Sequence, residues 1–105
     1  MSDELLVEEA LRRRKVFARL GELLQRIKKR VLELDPEAEV YLFGSVAEGR
    51  STYSSDIDVL VVTDRRVEEV LPRLWEIGVE DPLEIHVRPR SMLEQYRRRS
   101  KLIKI

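Results

Sequence analysis

The chain has 105 residues, enough for one small domain, expected to span 1–105 around one core. Its 20 basic and 20 acidic residues cancel, which argues against a nucleic-acid binder acting through bulk charge. It has no cysteine, hence no disulfide framework or thiolate site, no apolar run near the ~20 residues of a membrane span, and an acidic start, Met1-Ser2-Asp3-Glu4, unlike a signal peptide, so a cytoplasmic location is expected.

From about Asp3 to Leu34 the pattern predicts a long N-terminal helix. Leu20, Leu23, Leu24, Ile27, Val31 and Leu34 form one apolar stripe, Ser2 is placed to cap the start, and Gly21 marks a kink or a break into two helices. Asp35-Pro36 ends it, because the residue before a proline avoids the helical region. A strand follows over Glu39–Phe43, then the turn Gly44-Ser45, a short helix around Val46–Glu48 and a polar loop, Gly49 to Ser55. The next strand is Ile57–Val62. Val67, Val70, Leu71, Leu74 and Ile77 make the stripe of a second amphipathic helix, where Pro72 predicts a kink or late start and Gly78 a stop. Trp75 falls off that stripe, at a core edge or interface. Leu83–Val87 is a third strand, and Ser91 is placed to cap a last helix from Met92 to about Arg98. Strands alternating with helices give an α/β or α+β class.

The chemistry concentrates in two places. Gly44-Ser45 closes an apolar strand, and ten residues later Asp56-Ile57-Asp58 opens another. Carboxylates at i and i+2 of a strand share a face, about 6–7 Å apart, and repel unless neutralised. A divalent cation does this, and oxygen-only ligands favour magnesium or manganese. Backbone N–H groups at a Gly-Ser turn that opens a helix can hold phosphate. Together the two halves describe metal-dependent phosphoryl or nucleotidyl transfer. In the third strand Glu84 and His86 share one face, and Leu83, Ile85 and Val87 the other.

The Gly-Ser turn with its downstream Asp-x-Asp resembles the signature of the minimal nucleotidyltransferases, in the DNA polymerase β-like nucleotidyltransferase superfamily. The resemblance covers about Val40 to Val87, close to half the chain. It implies a small mixed sheet with helices packed on it. It also implies that Asp56, Asp58 and a third carboxylate on a later strand, matched in place by Glu84, hold two magnesium ions, with manganese as the alternative, and do the catalytic work. Gly44 and Ser45 would meet the phosphates of a nucleoside triphosphate, ATP being the expected substrate. Two departures stand out. Glu84 replaces the family's usual aspartate, and the arginine that often follows Gly-Ser is absent; Arg50 is either its substitute, as a phosphate or partner contact, or a solvated loop residue. His86, the only histidine, is either a group beside the metal ligands or a packed strand residue; zinc is not expected, since no second histidine or cysteine accompanies it.

Such minimal enzymes resemble the antitoxin halves of toxin–antitoxin pairs, whose partner is a HEPN-domain toxin that they adenylylate. Transfer of AMP to that partner is the first expectation. A catalytically weak antitoxin acting by contact, and nucleotidyl transfer to RNA or a small molecule, are the alternatives. Seven basic residues between Arg88 and Lys104, opposed only by Glu94, are either a contact for triphosphate, nucleic acid or an acidic partner, or a solvated helix face. The apolar end, Leu102-Ile103-Lys104-Ile105, needs cover, which suits a partner chain or a homodimer.

Overall fold

The computed structural model describes residues 3–105; the expected cap at Ser2 lies outside the described residues. The long helical region is two helices, α1 (Asp3–Ala18) and α2 (Leu20–Leu34), separated at Arg19 rather than at Gly21. The turn lets Val16 and Phe17 reach the core, while the rest of α1 leaves it, with no buried residue. In α2 the expected stripe holds. Leu24, Ile27 and Val31 are buried, and Leu20, Leu23 and Leu34 pack beside them.

Four strands form one mixed sheet. They are β1 (Glu39–Phe43), β2 (Ile57–Val62), β3 (Leu83–Arg88) and β4 (Ile103–Lys104), in the order β3-β2-β1-β4. β1 runs antiparallel to β2 and β4, and β3 runs parallel to β2. The fourth strand was not expected. It is the apolar C-terminus, pairing Ile103 with Leu42 and Lys104 with Tyr41 along the free edge of β1. Leu102 and Ile105 pack on opposite faces of the sheet while Ile103 stays exposed, so the chain covers part of its apolar end itself and caps the edge of β1.

β2 is the hub, and all its residues but Asp58 are buried. Ile57, Val59 and Val61 face the main core, with Val40 and Leu42 of β1, Leu83 and Val87 of β3, α2, and Val70 and Leu74 of α4 (Val67–Trp75). Leu60 and Val62 face the other way, onto a smaller core with Tyr41 and Leu93, bordered by Phe43, Tyr96 and Leu102. Asp58 lies on this second face by strand alternation. No helix among the described residues is long and apolar enough to cross a membrane.

Several boundaries differ from expectation. α4 does not start late but runs from Val67 through Pro72, and Val67 lies outside its buried stripe. It stops at Gly78, whose φ of +85° is the left-handed conformation that glycine tolerates at helix ends. Trp75, 63% exposed, is not at the core edge. The helix after Gly44 is one turn, α3 (Gly44–Ala47). Ser91 caps nothing, because a 3-10 turn over Arg90–Met92 precedes α5 (Leu93–Arg99), and neither has a side-chain cap.

Asp35, expected only to stop a helix, also ties α2 to the sheet. The buried Thr63 hydroxyl, just past β2, donates to its Oδ2 at 2.5 Å, and the Glu37 N–H to its Oδ1 at 3.0 Å. The Thr63 bond chiefly holds the Asp35 carboxyl below its ordinary pKa, against the opposing effect of burial. A folded-state pKa lowered in this way stabilises the fold in full above the unfolded value of about 3.9. That stabilisation is lost as pH falls through the lower folded value. Asp35→Ala is therefore expected to lose about 1–2 kcal/mol at pH 7, with the gap to wild type narrowing below about pH 4. Urea denaturation across pH 3–7 checks this; a constant gap would show that the ionised carboxylate is not what Thr63 holds.

Candidate functional site

The site forms where three strands meet in one row. Phe43 at the end of β1 pairs with Asp58 of β2, which pairs on its other side with Glu84 of β3. The order of the sheet thus sets carboxylates 26 positions apart in sequence side by side. His86, two residues beyond Glu84, shares its face, and its Nε2 lies 3.2 Å from Asp58 Oδ1 and 3.7 Å from Glu84 Oε1. Each of the three residues offers a donor atom, and these all lie within 4.8 Å of one another. Side-chain exposure is 24% for Asp58, 21% for His86 and 55% for Glu84, so two donors are held by packing and one is free to adjust.

The turn after β1 closes against this group. Gly44 has φ +77°, and a Cβ there would collide with the carboxylate of Asp58. Glycine is thus required twice over, for backbone conformation and for close approach. Ser45 follows, half-buried, and its carbonyl accepts from the Arg50 N–H at 2.9 Å, which fixes the loop beyond α3.

The other expected residues stand apart. Asp56 is exposed, just before β2, and is not in the three-residue group. Arg50 is exposed, and its guanidinium meets Glu48 of the same loop at 2.8 Å. Part of the basic C-terminal region is used internally. Arg90 and Lys104 converge on Glu39 at 3.2 and 3.1 Å, and Arg97 meets Glu94 at 3.5 Å. Burial works to raise the Glu39 pKa, but the Lys104 and Tyr41 hydrogen bonds and the Lys104 and Arg90 charges outweigh it and leave the carboxyl below its ordinary value.

Two adjacent carboxylates with an imidazole beside them make a donor set that a divalent cation fits. His86 carried a sequence signal, its two-residue spacing from Glu84, but only β2–β3 pairing places it against Asp58.

Strand, Gly-Ser turn, one-turn helix and acidic strand start define the class of molecule: the chain belongs to the nucleotidyltransferase domain family, whose model matches residues 24–105. A CCA-adding enzyme from Methanopyrus kandleri is 42% identical over 69 residues, which cover 61% of this chain and 13% of that enzyme. This chain therefore corresponds to a small part of that relative's length. A crystal structure from Sulfolobus solfataricus, assigned as a nucleotidyltransferase, superposes with a TM-score of 0.61 at 23% identity, covering 90% of this chain and 85% of that one, and shows the shared fold. A second assigned nucleotidyltransferase structure gives a TM-score of 0.56 at 29% identity, covering 77% of this chain and 95% of the other.

Proposed function

We propose that this protein transfers AMP from ATP to a hydroxyl of a partner protein, a HEPN-domain toxin, and so acts as its antitoxin in the cytoplasm. The observation that carries the chemistry is the Asp58, Glu84 and His86 group set against the Gly44 turn. Asp58 and Glu84, with Asp56 just before β2 and two residues ahead of Asp58, are assigned as the holders of two magnesium ions. Divalent cations bound there would offset the triphosphate charge and polarise the reacting phosphoryl group. Gly44 and Ser45 are assigned to the phosphates, and Arg50 to the outer end of the triphosphate. The acceptor oxygen bonds to the α-phosphorus, the bond to the bridging oxygen breaks, and pyrophosphate leaves. Glu84, the most exposed of the three, is assigned to take the hydroxyl proton.

A protein acceptor is favoured by α1. Leu5, Leu6, Val7 and Leu11 are each about half exposed, between 49% and 56%. The same helix touches the loop that leads into Asp56: Phe17 packs edge-on to Tyr53 at 5.5 Å, and Arg13 donates to the Ser55 carbonyl at 3.4 Å. A partner covering α1 would lie beside that loop. Addition to RNA is the second reading, favoured by the identity to the CCA-adding enzyme.

ATP labelled at the α-phosphate, with magnesium and with either a HEPN-domain protein or an RNA with a free 3′ end, separates these. Label on the protein that vanishes in Asp56→Ala/Asp58→Ala is the expected result. Label on RNA selects the second reading. Complex formation without label, unaffected by the double substitution, would leave an antitoxin acting by contact alone.

A further inference from the structure

We propose that His86 is itself a ligand of the bound cation, and that its nitrogen gives this site a preference for manganese over magnesium. The inference rests on the reading that Asp58 and Glu84, with Asp56, hold divalent ions, and concerns the donor that stands beside the first two in the structure.

The three donors stand close enough to converge on one centre, all within 4.8 Å of one another. Donors bound at about 2.1 Å lie about 3.0 Å apart when adjacent in an octahedral shell, and His86 Nε2 sits 3.2 Å from Asp58 Oδ1 and 3.7 Å from Glu84 Oε1. The ring is held in place before any ion arrives. Phe43 packs edge-on against it with centroids 5.0 Å apart, and Tyr96 packs edge-on against Phe43 at 5.6 Å. Without a cation Nε2–H can donate to Asp58; with one, the neutral imidazole turns its lone pair to the metal and keeps its proton on Nδ1.

The consequence is selectivity. Magnesium takes oxygen ligands and water, whereas imidazole suits first-row transition ions, and manganese accepts both nitrogen and carboxylate. Two carboxylates and one imidazole therefore form a better shell for manganese than for magnesium. Glu84, one methylene longer than aspartate and the most exposed of the three, has the reach to close that shell.

The test uses each metal alone with the purified protein, without nucleotide. Titration calorimetry should show Mn2+ binding more tightly than Mg2+. Pulsed electron paramagnetic resonance of the Mn2+ complex should show coupling to a histidine nitrogen. His86→Phe and His86→Asn, both checked for unchanged melting, should abolish that coupling and weaken Mn2+ by about 10- to 100-fold, with a much smaller effect on Mg2+. Bound Mn2+ without nitrogen coupling, or with unchanged affinity in both variants, would overturn the role of His86 and leave the transferase reading intact. Binding of neither ion would overturn both.

Discussion

Asp58→Asn is expected to cut nucleotidyl transfer by about 10³-fold or more while leaving the protein as stable as before. Asp58 is the one residue of β2 that is not buried, and it stands at the centre of the site row, with Phe43 on one side and Glu84 on the other. Asparagine keeps its shape and its contact with His86 but removes the charge that would hold a cation. A metal ion contributes several kcal/mol of charge stabilisation in such transfers, and about 4 kcal/mol corresponds to ~10³ in rate. Removing a carboxylate beside Glu84 also relieves repulsion between like charges, so the melting temperature should stay level or rise, as when a functional group is held at the expense of stability. Single-turnover incorporation of label, together with thermal melts, decides the matter. Transfer within tenfold of wild type would remove Asp58 from the centre of the chemistry.

Gly44→Ala should lose activity out of proportion to stability. Two glycines near the site have positive φ, Gly44 at +77° and Gly49 at +72°. A Cβ on Gly49 would meet nothing within 4 Å, whereas on Gly44 it would collide with the Asp58 carboxylate. Left-handed backbone costs a non-glycine residue about 1–2 kcal/mol, and both variants should show that loss. Only Gly44→Ala also pushes the Asp58 carboxylate from its packed position beside His86, so the extra effect falls on the site. A misplacement of about 1 Å can cost ~10² in rate. Urea denaturation and transfer assays on both variants separate the terms. Equal activity in the two would mean that the close approach of Gly44 to Asp58 does not matter for turnover.

Features that depend on neighbours along the chain were readable without coordinates. The α2 stripe, strands β1 to β3, the stop at Gly78, and the Gly-Ser turn with its Asp-x-Asp partner all follow from periodicity and local backbone chemistry. The mixed sheet and the nucleotidyltransferase class came with that turn and acidic pair. The break at Arg19 and the continuity of α4 through Pro72 were not readable, because packing decided them against local propensity. The pairing of the C-terminus within its own chain was not readable for a similar reason. Leu102 to Ile105 do need cover, but the edge that supplies it, β1, lies some 60 residues back in this same chain.

The same division runs through the site. Sequence alone picked out the candidate side chains, Gly44, Ser45, Asp56, Asp58 and Glu84, because residue type and spacing along one strand or turn state what a group can do. Only the tertiary structure decided which of them meet. Parallel pairing of β3 with β2 brings Glu84 and His86 to Asp58 and leaves Asp56 outside the group. Antiparallel pairing of β1 brings Gly44 against the same carboxylate. Those meetings depend on strand order and register, which bring together residues far apart in the chain through backbone hydrogen bonds that any sequence can make.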